Sequence, residues 1–282
     1  MLGSLLVSVL LVGFKLNAAK DLVQTIERRK ELKSNLSLLQ RRLEDEAKDE
    51  WIDDVSHDAK ERAERIAAME PASGLTYSGT ENELIQRGMA VFEAYDSSLE
   101  EATEMKRSAF VDRLETKLDK QTGLLLGRAD AEICASPQEI VAYTLNYCQS
   151  RAGQAFAATD PYHRRLEHLE TVHSCHSIVF VRVRAPGIYD RTFLTSCIAK
   201  RVEEDPVTYV VVIVPIPRHD GISQKDEANA VRGENYRSCK ITAVAPGISK
   251  FEFVCALDVK GWVPQIFTNT VALPAQMNGA QP

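Results

Sequence analysis

The sequence predicts an α+β protein in which a long charged helical segment precedes an antiparallel sheet. Three observations carry that reading. From position 18 to position 69 there is no Pro or Gly and charge is dense, a composition that favours helix. Beyond Gln121 the pattern changes to short runs in which apolar and polar residues alternate. Those runs, at 177–184, 192–201, 207–215, 237–244 and 251–258, are bounded by Pro, Gly, Asp or Ser and joined by short connections, so successive strands should pair antiparallel.

A chain of 282 residues suffices for one sizeable domain plus an appendage. With 34 basic and 40 acidic residues the net charge is −6, which supplies no global field toward nucleic acid or an anionic membrane. The six cysteines, Cys134, Cys148, Cys175, Cys197, Cys239 and Cys255, form no C-x-x-C pair and sit mostly in apolar runs. They read as small buried hydrophobes, and cysteines this sparse favour a reducing compartment over a disulfide framework.

Taken in order, the apolar run 2–14 ends at Lys15 and is shorter than the ~20 residues a membrane-spanning helix needs. No positive residue precedes it, so three readings stay open: a signal peptide, the end of a longer hydrophobic segment, or an amphipathic anchor. Cytoplasmic and membrane-associated locations both remain compatible. Within 18–70, Leu22, Leu36 and Leu43 share one heptad position and Leu32 and Leu39 another, while Thr25, Arg29 and Glu46 interrupt the seam. The segment is either a solvated helix packing one stripe on the domain or a coiled coil for self-association. Pro71, Ser73, Gly74, Ser78 and Gly79 make 71–80 a linker, which divides the chain into 1–17, 18–70 and a domain over 81–282.

Thr80 with Glu83 fits a capping box, opening a helix to about position 102 with Leu84, Ile85, Met89, Val91, Phe92 and Tyr95 on its apolar face. Residues 123–133 read as a strand. Ser136 then caps a helix with Pro137 in its first turn, running to 147, and 160–170 reads as a second short helix. The strands follow, and 263–277 forms an ending helix that Pro274, Asn278 and Gly279 stop early.

His163, His168, His173, His176, Cys175 and Glu170 are residue types that ligate zinc. Their spacing argues otherwise: five residues between His163 and His168 turn them about 140° apart on a helix, and no H-E-x-x-H or C-x-x-C appears. No G-x-S-x-G, P-loop or G-x-G-x-x-G is present, and Cys175 and His176, adjacent on a strand, would face opposite ways. Neither a metal, a cofactor nor a nucleic-acid partner is expected.

Several stretches in order are similar to the START (StAR-related lipid-transfer) domain family. They are Cys175-His-Ser-Ile-Val-Phe-Val-Arg-Val-Arg-Ala-Pro186, Asp190-Arg-Thr-Phe193, Val231-Arg-Gly-Glu-Asn-Tyr236 and Asp258-x-x-Gly261-x-x-Pro264. Upstream, residues 129–143 resemble the start of the family's first inner helix, so the resemblance covers about 81–282. It implies a helix-grip fold: a curved antiparallel sheet around a C-terminal helix, with an apolar tunnel between them. It further implies a non-enzymatic carrier or sensor of one lipid or sterol. The sequence departs from the family where Asp190 precedes rather than follows Arg191.

Strand parity supplies the ligand-facing residues. Val179, Val181 and Val183 alternate with Arg182 and Arg184, and Phe251, Phe253, Cys255 and Leu257 alternate with Glu252 and Asp258. Extending the apolar parity gives Phe193, Tyr209, Val211, Ile213 and Ile241 as further wall residues, with Trp262 and Phe267 at the lid. Arg232 is the candidate for the tunnel's polar end, while Arg191, Arg232 and Asp258, which match charged positions of the family, are also expected to pair and lock strand ends. Alternation by itself fits a packed core as well as a hollow one; the resemblance favours the hollow. The lid aromatics and the run 2–14 would make transient membrane contact. Two other classes remain: a helix-grip hydrolase or cyclase acting on the tunnel ligand, and a coiled-coil interaction protein with a regulatory START-like module.

Overall fold

The computed structural model describes residues 60, 63–64, 75–105, 111–120, 122–159, 163–184 and 189–261. The chain divides into two compact units, Met1–Asp54 and Val55–Pro282, and every described residue belongs to the second. The run 2–14, nearly all of 18–70, Trp262, Phe267 and the expected ending helix at 263–277 therefore lie outside the described residues. Among the described residues no helix is long and apolar enough to cross a membrane.

Helix α1 (Gly79–Ser97) starts at a capping box formed by Ser78 and Glu81. The Ser78 side chain accepts from the Glu81 amide, and Glu81 Oε2 accepts from Ser78 N at 2.8 Å and Ser78 Oγ at 2.9 Å. The predicted box at Thr80 and Glu83 is thus displaced by two residues. Both pairs fit the pattern, and the Ser78 start is the one that aims Glu81 at two histidines of the sheet. The helix ends at Ser97 rather than near 102, where Ser98 turns extended. Asp96, Ser97 and Ser98 are residues whose side chains compete for backbone partners and favour helix ends.

Among the described residues ten strands form one sheet: β1 (Thr103–Glu104), β2 (Arg113–Leu118), β3 (Leu125–Ile133), β4 (His163–His173), β5 (His176–Val183), β6 (Asp190–Glu204), β7 (Val207–Pro215), β8 (Ala230–Arg232), β9 (Glu234–Ala245) and β10 (Ile248–Asp258). Their order is β1-β2-β3-β10-β9-β7-β6-β5-β4, all antiparallel along that path. The exception to the expected pattern is β8, which pairs parallel with β6 at Asp190–Thr192, beyond the point where β7 ends opposite Thr195.

Between β3 and β4 the chain forms α2 (Pro137–Asn146) and α3 (Arg151–Thr159), then re-enters the sheet at the far edge. α2 has the predicted Ser136 cap, with Glu139 completing the box. The second helix lies upstream of its predicted place, and 163–173 is the edge strand β4 instead. Leu166 and His168 pair with Val181 and Val179 of β5, and the three register shifts along that pair break strict alternation. Charged residues such as Arg165, Glu167 and Glu170 suit an exposed edge, and the same mixture imitates an amphipathic helix in sequence.

The sheet is covered on both faces. On the outer face α1 sets Leu84 and Ile85 against Ile198, Val210, Val212 and Val214, and Val91, Phe92 and Tyr95 against Leu126, Val254 and Ala256. Contact is close enough that a Cβ on Gly88 would lie 2.4 Å from Val212 Cβ. On the inner face Ile140, Val141, Ala142 and Leu145 of α2 join the largest apolar cluster.

Candidate functional site

Antiparallel register stacks side chains of one parity into rows across the inner face. One row runs Ala199, Val211, Cys239, Phe253, Ala129, and the next Tyr209, Ile241, Phe251, Ala131. A third runs Cys197, Ile213, Arg237, Cys255, Gly127. Val181 pairs with Phe193, Val179 with Thr195 and Val183 with Arg191 on the same parity. Ten of the sequence-derived wall residues therefore share one face: Val179, Val181, Val183, Phe193, Tyr209, Val211, Ile213, Ile241, Phe253 and Cys255. All but Val179 pack in or against the inner cluster.

Burial makes this surface chemically quiet. It pushes the thiols of Cys239 and Cys255 up to about 12 and that of Cys148 to about 11, and raises Cys197 further still. At neutral pH these are uncharged hydrophobes rather than nucleophiles. One residue breaks the row. Arg237, half-buried, acts electrostatically on all four thiols and on Tyr147 at the end of α2, so its positive field spans the centre of the face. Sequence reading started a strand at Arg237 and took it as an end residue. The strand begins at Glu234, which puts Arg237 inside the row.

Arg232 stands elsewhere. It shares the register of Thr192, on the opposite parity, and binds the Glu227 carboxylate and the Pro217 carbonyl at 2.6 Å. It closes the 217–232 loop, which is the strand-locking role, and is not part of the inner face. Arg191 locks a strand end through carbonyls: its guanidinium donates to those of Val259 at 2.6 Å and Lys260 at 3.3 Å, and to that of Tyr189. Burial lowers its pKa. Asp258, expected to pair at a strand end, accepts from the Lys260 amide and pairs with Lys260 Nζ at 2.7 Å. Lys260 and Gly261 follow with φ of 49° and 73°, a left-handed turn for which Gly261 carries no Cβ penalty.

On the outer face, beneath the start of α1, Glu81 Oε1 lies 2.7 Å from His173 Nε2 and 2.7 Å from His176 Nδ1, and Ser196 Oγ lies 2.7 Å from His176 Nε2. The two histidines flank the β4–β5 turn, and their rings meet edge to face at 5.5 Å. The hydrogen bonds assign the tautomers. His173 Nδ1 accepts from the Cys175 amide at 3.1 Å, so its proton is on Nε2 and is donated to Glu81; His176 donates from Nδ1 to Glu81, and in the neutral ring Nε2 then accepts from Ser196. Two imidazoles thus share one carboxylate. Burial pushes Glu81 up, but the Ser78 amide, both histidines and the Ser78 hydroxyl outweigh it and hold Glu81 at about 2. Burial lowers His176, with Glu81 pulling the other way.

This grouping has the residue types of a metal site, yet the Cys175 amide keeps the His173 proton on Nε2, the atom a shared ion would need free. Ser196, His176 and Glu81 also have the bonding order of a catalytic triad. Ser196 is 1% exposed and lies under α1, with no face open to a substrate. Sequence reading set these histidines aside as metal ligands on their spacing and did not find Glu81, 92 and 95 positions away. A further crevice of ≈ 400 Å³ is lined by Arg165, Arg182, Asp190, Lys225 and Asp226. Four of its five charges are spent on one another: Arg182 binds Asp190 at 2.9 Å, and Arg165 binds Asp226.

No protein-family model matches the sequence, and no curated protein matches it. Solved structures do. Human StAR-related lipid transfer protein 5 superposes with a TM-score of 0.50 at 16% identity, over 70% of this chain and 92% of that one. Human STARD10 gives 0.49 at 13%, over 72% and 78%, and a StAR-related lipid transfer protein fragment from Xanthomonas axonopodis gives 0.47 at 13%, over 64% and 95%. The chain has the fold of the StAR-related lipid transfer domain, as the sequence motifs imply.

Proposed function

We propose that the protein binds one hydrophobic ligand, a lipid or sterol, against the inner face of its sheet and acts as a carrier or sensor rather than an enzyme. The observation that carries the reading is the set of apolar cross-strand rows on that face, lined by protonated thiols and interrupted by Arg237. A ligand that is mostly hydrocarbon with one polar group matches such a wall. The fold likeness to a protein named for lipid transfer supports the same class. Arg237 takes the polar role that sequence reading gave to Arg232, because Arg232 is on the other parity while Arg237 lies within the inner row.

Native mass spectrometry of the purified full chain, with lipid extraction, tests this. One lipid per chain is expected. Arg237→Met should keep a hydrophobic ligand but lose about tenfold in affinity for lipids whose head accepts charge-assisted hydrogen bonds. A chain that emerges empty and takes up nothing from a broad lipid array overturns the proposal.

A further inference from the structure

The outer-face cluster ties three separate parts of the molecule at one carboxylate. Glu81 belongs to the first turn of α1, His173 and His176 to the two sides of the β4–β5 turn, and Ser196 to β6. We propose that Glu81, His173, His176 and Ser196 form a proton-operated clasp, which holds the start of α1 to the sheet while His176 is neutral and lets it go as the cluster takes up protons.

The chemistry of each bond sets the behaviour. His173 Nδ1 is an acceptor for the Cys175 amide, so a proton there puts two donors face to face and breaks the turn's own hydrogen bond. A proton on His176 Nε2 forces the Ser196 hydroxyl to reverse from donor to acceptor. The first added charge has Glu81 to balance it. The second leaves net positive charge in a site where His176 and Glu81 are 7% and 8% exposed, and burying unbalanced charge is costly.

Among the described residues, the remaining groups nearby do not supply a second counter-charge at close range. Lys200 of β6 binds Asn82 Oδ1 at 3.0 Å and lies over the Tyr77 ring at 5.2 Å, adding positive charge to the same end of the helix. Tyr77 packs edge-on to His173 at 5.7 Å and donates to the Ala199 carbonyl. Glu170 of β4 favours the charged form of His176, but it comes last among the influences on that ring and is bound to His219 at 2.9 Å.

The sign follows. His176 is lowered from 6.5 in the closed clasp, chiefly by burial, and returns to its ordinary value once exposed. The open form takes up the proton first, so acid favours opening, and the clasp is fully effective above 6.5. Glu81, held at about 2 against an ordinary 4.5, is ionised in both forms until the pH nears 4.5 and contributes nothing to the change above it. Opening uncovers Leu84, Ile85 and the residues they lie on, Ile198, Val210 and Val212.

Hydrogen exchange of the full chain, read on 79–97 and corrected for intrinsic rates, tests the clasp. Below pH 6.5 wild-type α1 should open about tenfold more for each pH unit per extra proton bound, while 248–258 stays protected. In the double variant His173→Gln, His176→Asn, the amides replace the two N–H donors to Glu81 without titrating, and α1 exchange should not depend on pH. A flat wild-type profile, or the same pH response in both proteins, overturns the clasp. Should the variant not fold, NMR titration of the wild-type ring protons decides: a His176 midpoint that coincides with the opening midpoint supports the clasp, and separate midpoints overturn it.

Discussion

Among the described residues, Arg191 is a charge that the fold satisfies with carbonyls alone. Its forked guanidinium reaches the backbone of Tyr189, Val259 and Lys260, joining the start of β6 to the turn that ends β10. Replacing it with Met orphans those carbonyls, at about 1–3 kcal/mol for each buried group left unmade. Arg191→Met should lower the urea midpoint markedly, and Arg191→Lys should recover little, because an ammonium cannot span three separated acceptors. A Lys variant as stable as wild type would contradict this. Sequence motifs pointed to Arg191 and Asp258 as charged positions, but not to what they bind. Both partners, the carbonyls of 259–260 and the Lys260 amide, are set by backbone path rather than residue type.

Among the elements, α2 was readable because its signals are local: Ser136, Pro137 and Glu139 lie within four positions and suffice for a capped helix start. β7 was readable at both ends because Pro206 precedes it and Pro215 closes it. β4 was not, since its charged residues satisfy an edge strand and a helix equally and only pairing with β5 decides. α1 was legible as a helix, while its seat on the sheet was hidden in one glycine. Gly88 lets the helix backbone approach Val212 to a distance that no Cβ can share. Gly88→Ala would raise helix propensity by about 1 kcal/mol in isolation. Here it should instead destabilise the protein by about 1–3 kcal/mol, because the overpacked contact must spread. Thermal unfolding that shows Gly88→Ala equal to or above wild type would mean that α1 shifts freely.

For the molecule as a whole, the motifs and the strand alternation were enough to give the sheet, its fold family likeness and the face on which Val181, Val211 and Phe253 meet. What they could not give was strand order, because β3 finds its partner in β10, and the outer-face cluster, because Glu81 and His176 meet only once α1 lies on the sheet. The same strand order has a consequence for synthesis. β1–β3 are made early, yet the β3 positions 126–133 have no neighbour on their inner side until 249–256 have been made. The first flank of the sheet must wait through the whole far meander with one edge bare, a strand edge that invites pairing with other chains. Refolding should accordingly be slow, with late closure of the central seam. In pulse-labelled exchange during refolding, amides of 176–183 and 207–215 should be protected before those of 125–133, and protection of 125–133 should appear together with that of 248–258. Early, independent protection of 125–133 would show that the newborn flank finds another guardian for its edge.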